Sequence, residues 1–198
     1  MAIINIRGTS GSGKSTLVRR VMDLYRNKAR VKIEDRKQPI GYILTKAMHR
    51  PLALVGHYET ACGGCDTITS MDDIYERVRA ASLAGMDVLF EGLLISADAN
   101  RIIALDAWSK EPGPQRTTVR VIALDTPLEL CIASVNERRL KDAEAKGKPY
   151  KGDVNPKNTQ SKFSGVKSSM KRIEAAGVTC SFESRDSAFE LIKQEFIL

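Results

Sequence analysis

Residues 8–15 read Gly-Thr-Ser-Gly-Ser-Gly-Lys-Ser, and few other stretches of eight constrain a fold so tightly. An apolar run, Ile3-Ile4-Asn5-Ile6, precedes them, and Leu17, Val18, Val21 and Met22 follow at helical spacing. The order is therefore strand, glycine-rich loop, helix, the setting of the P-loop pattern of Gly, four residues and Gly-Lys-Ser. Gly8, Gly11 and Gly13 let successive backbone N–H groups turn inward on a phosphate with no Cβ in the way. Ser10, Ser12, Ser15 and Thr16 complete the cradle, and the helix that starts there adds unpaired amides and a positive dipole end. Lys14 supplies a mobile charge for the β- and γ-phosphates of a nucleotide and is expected to be exposed until phosphate arrives. The Ser15 hydroxyl is of the type that ligates Mg²⁺.

A chain of 198 residues is large enough to bury a core without staples. Its 31 Lys and Arg against 24 Asp and Glu give +7, which favours polyanionic partners. Four scattered cysteines and no signal peptide suggest a reducing compartment, and no apolar run is long enough for a membrane span. The expected location is the cytoplasm.

In chain order, residues 2–7 read as a strand apolar on both faces and residues 14–27 as a helix. Three short strands are expected at 30–34, 40–45 and 52–57, partly antiparallel, inserted beside a parallel core. A loop rich in Thr, Gly and Cys covers 58–70, and a helix starts near Met71 and ends at Gly85. A buried strand over 87–92 carries Glu91 at its end. A helix follows over 97–108, and Gly113 and Pro114 break the chain. Residues 118–124 form another buried strand, ending at Asp125. Asp125 reads as a structural cap, and Thr126 as the cap of a helix with Pro127 in its first position, running to about Leu140. Residues 141–160 show no apolar face and several Gly and Pro, hence a mobile loop. A basic helix over 161–176, a strand over 178–182 and a helix over 187–196 close the chain. Strands alternating with helices predict an α/β, doubly wound parallel sheet.

A P-loop needs an acid at the end of a neighbouring strand, to hold Mg²⁺ or to take a proton; Glu91 stands where such a strand would end. The loop His57-Tyr58-Glu59-Thr60-Ala61-Cys62-Gly63-Gly64-Cys65-Asp66 is too polar and too small-residued for core. Loops at the carboxyl ends of parallel strands are where ligands bind in such sheets. Asp66 is a candidate base for a hydroxyl nucleophile and Glu59 its rival, with His57 and Tyr58 available to stack on or hydrogen-bond an acceptor. Cys62 and Cys65 have ligand chemistry for zinc, but a lone Cys-x-x-Cys around two glycines equally suits a plain turn. Arg138 and Arg139 follow the apolar positions of their helix and are candidates for neutralising charge on a transferring phosphoryl group; a solvated helix end is the alternative.

From Arg138 to Arg172 there are eleven cations against three anions, a net +8 that leaves the rest of the chain close to neutral. A charge run is often only a solvated face. Here it coincides with a loop and helix beside the expected site, so Lys151, Lys157 and Lys162 are candidate contacts to a polyanionic acceptor.

The P-loop, the acid-ended strand and the arginine-bearing segment resemble the nucleoside and nucleotide kinase-like P-loop phosphotransferases across nearly the whole chain. Within that group three stretches are similar to phage-encoded P-loop kinases: Ile6–Thr16, His57-Tyr58-Glu59-Thr60 with Gly63-Gly64-Cys65-Asp66, and Phe90-Glu91-Gly92. Some of those enzymes phosphorylate 5-hydroxymethyluracil in DNA, a step toward hypermodified thymine. The resemblance implies one P-loop kinase domain over 1–198, with a strand insertion at 30–57 and a basic lid at 138–160. It implies ATP or another NTP with Mg²⁺ as donor, and the base's hydroxymethyl oxygen in modified DNA as acceptor. A kinase of small nucleosides, nucleotides or sugars is the alternative, and it leaves the +8 segment without a purpose. A nucleotide-dependent DNA-binding module without catalysis is a second.

Overall fold

A computed structural model describes residues 1–33, 36–60, 62–112 and 116–197. Seven strands form one sheet: β1 (Ala2–Arg7), β2 (Asn27–Val31), β3 (Gly41–Thr45), β4 (Leu52–Val55), β5 (Asp87–Glu91), β6 (Thr118–Leu124) and β7 (Thr179–Glu183). Their order is β2-β3-β4-β5-β1-β6-β7. β4, β5, β1, β6 and β7 run parallel, and only β3 pairs antiparallel with both its neighbours, β2 and β4. The helices are α1 (Lys14–Met22), α2 (Met71–Leu83), α3 (Leu93–Ala97), α4 (Asn100–Ser109), α5 (Leu128–Ala145), α6 (Pro156–Ala175) and α7 (Arg185–Phe196). None of the described helices is long and apolar enough to cross a membrane.

The period-two alternation of the strands feeds two cores. Ile4, Ile6, Leu89 and Ile122 meet Leu17, Val18, Val21, Phe189 and Ile192 of α1 and α7. On the other face, Ile3, Val88, Phe90 and Val121 meet Ile74, Val78, Ile102, Leu105, Met170 and Ile173 of α2, α4 and α6. Arg7 falls on that second face and is fully buried. Its guanidinium donates to Asn5 Oδ1 (2.7 Å), to the carbonyls of Ser96 (3.2 Å) and Asp98 (2.8 Å), and to Ser169 Oγ (2.5 Å). Burial pulls its pKa down.

Several boundaries differ from the sequence reading. α1 ends at Met22, not at Asn27, because Tyr25 turns into the core and Asn27 already pairs with Thr45. The second strand lies three residues early; Asn27–Arg30 are all exposed on this sheet edge, so no apolar alternation marks it. Its expected last residue, Glu34, lies outside the described residues, as do Ala61, Gly113 and Pro114. The helix expected over 97–108 is α4, starting three residues later where the Asp98 carboxylate caps Asn100 (2.9 Å) and Arg101 (3.4 Å), and the short α3 before it has no counterpart in that reading. The expected loop over 141–160 shrinks to 146–155. α5 continues to Ala145 on the pairs Glu137–Lys141 and Asp142–Lys146, which support a helix without an apolar face. α6 starts early, at Pro156, with Asn155 capping Lys157 N at 3.0 Å. Thr126 caps nothing: Pro127 precedes α5, and the Thr126 hydroxyl donates to Ser12 O at 3.0 Å.

Arg7→Met would keep most of the buried volume and strand the Ser96 and Asp98 carbonyls. Unsatisfied buried groups cost about 1–3 kcal/mol each, so urea unfolding should show a loss of roughly 3 kcal/mol.

Candidate active site

β1 lies between β5 and β6, so the loop leaving β1 opens beside the carboxyl ends of both. In the β1–β5 register Ile6 stands opposite Glu91. The loop's first amide, Gly8 N, donates to Ser96 Oγ at 3.3 Å. Gly13 adopts φ 95° at the start of α1, a left-handed conformation that favours glycine. The first turn of α1 leaves the amides of Lys14, Ser15 and Thr16 without intrahelical acceptors. Gly11 approaches α5 so closely that a Cβ would lie 2.2 Å from the Cys131 carbonyl oxygen.

Lys14 is buried rather than exposed. Its Nζ donates to the carbonyls of Gly8 (2.8 Å) and Thr9 (3.1 Å). Burial lowers its pKa, while Glu91 and Asp66 pull it back up. Ser15 Oγ donates to Glu91 Oε1 at 2.7 Å. Glu91 is only 1% exposed, and burial raises its pKa against the opposing pull of Lys14 and the Ser15 hydrogen bond. Gly64 closes over it: with φ 90°, its Cβ would lie 2.6 Å from both the carbonyl oxygen and Oε1 of Glu91. Two oxygen donors, one hydroxyl and one carboxylate, thus sit together beside a phosphate loop. That donor set suits Mg²⁺, which typically takes one or two carboxylates and completes its shell with water and substrate phosphates.

A cleft of about 380 Å³ opens over this pair. Ser10, Gly11, Gly13, Lys14, Ser15 and Thr16 form its floor. Asp66 and Glu91 are its acids, and Arg19, Arg138 and Arg185 its cations besides Lys14. Asp66 stands on a short 3-10 turn (Cys65–Thr67) and is exposed. Its carboxylate accepts from Leu93 N (2.8 and 2.9 Å) and Leu94 N (3.2 Å), so it caps α3 from across the chain. Arg138 reaches the cleft with Ser134, one turn back on α5. Gly8 and Ser12 lie behind the floor, where the Ser12 hydroxyl would meet a Cβ on Gly8.

Other residues singled out from the sequence lie elsewhere. Arg139, about 100° round the helix from Arg138, leaves the cleft and donates to Gly152 O at 3.4 Å. His57 and Tyr58 are buried and are not among the walls of the cleft. His57 pairs by its backbone with Gly64, and burial lowers its imidazole pKa. The Tyr58 ring packs 6.3 Å from that of Tyr42, and burial raises its pKa. Glu59 pairs with Arg30 of β2 at 2.7 Å. The Cys65 thiol is buried against Val55 O at 3.3 Å, while Cys62 is exposed at the cleft. Lys151, Lys157 and Lys162 are all exposed on the 146–155 loop and α6.

Two cleft cations went unnoticed in the sequence. Arg19 stands one turn after Ser15 on the same face of α1, a spacing that could have found it; it donates to Tyr58 O (3.2 Å) and to Thr60 O. Arg185 opens α7 directly after β7, and every strand-to-helix connection of a parallel sheet opens on the same edge.

A carboxyl that binds its proton more readily folded than unfolded makes stability fall as pH rises from the unfolded to the folded pKa. Glu91, raised from 4.5, is such a group. Glu91→Gln should therefore gain stability relative to wild type between about pH 4 and about pH 7.5, read as the difference in melting temperature at the two values. An equal difference at both would mean that burial does not hold the proton.

No family model matches the chain. It is 54% identical over 192 residues to a 5-hmdU DNA kinase of Pseudomonas phage PaMx11, covering 97% of this chain and 95% of the relative. A 5-hmdU DNA kinase of Pseudomonas phage M6 is 34% identical, covering 77% of each chain. One of Delftia phage PhiW-14 is 27% identical, over 93% of this chain and 68% of that protein. An identity of 54% over nearly the full length of both chains, on top of the phosphate loop and its buried acid, makes this chain a member of the 5-hmdU DNA kinase family.

Proposed function

We propose that the chain is a P-loop kinase of the nucleotide-kinase-like type. It transfers the γ-phosphoryl group of ATP, or another NTP, to the hydroxymethyl oxygen of 5-hydroxymethyluracil in phage DNA, a step toward hypermodified thymine in the cytoplasm of the host. The observation that carries the reading is the Ser15–Glu91 pair beside Lys14 at the foot of a basic cleft. The kinship to the PaMx11 enzyme supports the acceptor.

Gly11, Gly13 and the amides of Lys14, Ser15 and Thr16 cradle the donor phosphates, and Lys14 leaves its two carbonyls to follow them. Ser15 and Glu91 would hold Mg²⁺, which when bound neutralises phosphate charge. Asp66, exposed in the cleft and oriented by three amide hydrogen bonds, accepts the proton of the acceptor hydroxyl. The hydroxyl oxygen forms a bond to the γ-phosphorus as the bond to the β–γ bridging oxygen breaks. Arg138, with Arg19 and Arg185 nearby, meets the charge that spreads over the transferring group. The segment 138–160 acts as the basic lid, and the insertion over 30–57 lies at the other end of the sheet. Lys151, Lys157 and Lys162 hold the DNA backbone. A target base within a duplex must leave its stack, at a cost of roughly a few kcal/mol.

Incubation with labelled ATP, DNA containing 5-hydroxymethyluracil, unmodified DNA and the free nucleoside tests the acceptor. Label should enter only the modified DNA, and equal labelling of the free nucleoside would point to a small-molecule kinase. Lys14→Ala should abolish transfer. Asp66→Asn keeps one oxygen to cap α3 and removes the charge and the second acceptor to Leu93 N; the rate should fall roughly 10²–10⁴-fold with ATP affinity little changed. Full activity in that variant would move the base role to Glu91. Lys151, Lys157 and Lys162 changed together to Glu should flatten the salt dependence of DNA binding, each lost contact taking about 0.7–0.9 from the log–log slope.

A further inference from the structure

α5 separates two cavities. Arg138 lines the cleft just described, and its neighbour Arg139 lines a second cavity of about 560 Å³ further along the helix, on the adjacent face. That second cavity lies between the end of α5 and the 146–155 loop, and its walls include Lys146, Lys148, Tyr150, Lys151 and Gly152. Its acid, Asp142, is already paired with Lys146 at 2.6 Å. The cations in excess are therefore Arg139, Lys148 and Lys151.

The loop is built rather than slack. Asn136 Oδ1 accepts from Val154 N at 2.8 Å, Lys148 N donates to Ala143 O at 2.9 Å, and Arg139 holds Gly152 O. The Tyr150 hydroxyl is tied to Asp153, and the residue is still 40% exposed. A fixed, exposed aromatic ring among unpaired cations has the chemistry of a nucleotide site: cations take the phosphate and the ring takes a base face, whichever base it is. The volume lies within the range of small-molecule pockets.

We propose that this cavity receives a nucleotide of the DNA strand flanking the target, its phosphate on Arg139, Lys148 and Lys151 and its base on Tyr150. The proposal rests on the functional reading above and adds the strand's path. Ser134 and Arg138 line the cleft, and Arg139, Asp142, Ala143 and Lys146 the cavity, so at about 1.5 Å per residue the two stand about 10 Å apart along α5. At about 3.4 Å per stacked nucleotide, the two cavities are some three nucleotides apart. The base on Tyr150 must be unpaired, so the strand is engaged single-stranded at this point.

The test uses the full chain and a fluorescent single-stranded oligonucleotide of about 15 nucleotides with 5-hydroxymethyluracil at its centre, followed by anisotropy. Tyr150→Leu should weaken binding about ten-fold, Tyr150→Phe, which keeps the ring but not its tie to Asp153, should weaken it far less, and ATP affinity should not move in either. Shortening the strand on one side of the target to fewer than about three nucleotides should weaken wild type more than Tyr150→Leu, which has only the phosphate contacts left to lose. In Tyr150→Trp, the oligonucleotide should quench emission beyond any change seen from Trp108 in wild type. Wild-type affinity in Tyr150→Leu, a loss as large in Tyr150→Phe, or no added quenching would each overturn the site. A titration with a free mononucleotide that saturates the Tyr150→Trp signal and leaves the oligonucleotide without effect would make it a mononucleotide site instead. Binding as expected by a chain that phosphorylates no DNA would defeat the functional reading and leave this site standing.

Discussion

A guanidinium with no access to water sits at the end of the central strand, and the site is assembled around it. Arg7 must find acceptors for its donors inside the protein, because a buried charge without them is untenable. It finds them on β1, at the carboxyl end of α3 and on α6. Ser96 serves twice: its carbonyl accepts from Arg7 and its hydroxyl accepts from Gly8 N. The phosphate loop and α3 are thereby fixed to one residue. α3 in turn offers Leu93 and Leu94 N–H to Asp66. One buried cation thus aligns the glycine-rich loop with Asp66 across the cleft.

The cleft itself is an acid enclosed by bases. Glu91 is buried beside Lys14 and Ser15, with Arg19 and Asp66 near, and Gly64 leaves no room for it to swing away. A rigid cation-rich wall suits phosphoryl transfer, which depends on positioning and on charge placed before the reaction begins. Lysine and arginine at the cleft come from three separated parts of the sequence: Lys14 and Arg19, Arg138, and Arg185.

That scatter explains what could be read in advance. The phosphate loop, β1, β5 and Glu91 were legible because their signals are local: a spaced motif and uninterrupted apolar runs. Asp66 could be picked out as polar and close to the site, but its bond to α3 is a long-range contact with no trace in its own neighbourhood. His57 and Tyr58 looked available because they sit in a polar loop; in the fold that loop turns its rings inward and its small residues toward the cleft. β2 lies outside its expected bounds because its first four side chains are all exposed and main-chain pairing with β3 makes it a strand. The end of α5 was misread for the opposite reason: ion pairs four residues apart hold it helical with nothing apolar to reveal it.

The Lys14 ammonium rests on two main-chain carbonyls of its own loop. An incoming anion must outbid both of these neutral acceptors. A hydrogen bond to an ionised acceptor is roughly twice as strong as one to a neutral acceptor. A single chloride therefore gains little by drawing Lys14 off two carbonyls, whereas a polyphosphate can offer several charged oxygens at once. In the role proposed for Lys14, the loop would thus be a threshold device that counts charge. It would stay indifferent to the monovalent salt around it and yield only to an anion dense enough to be a nucleotide's tail.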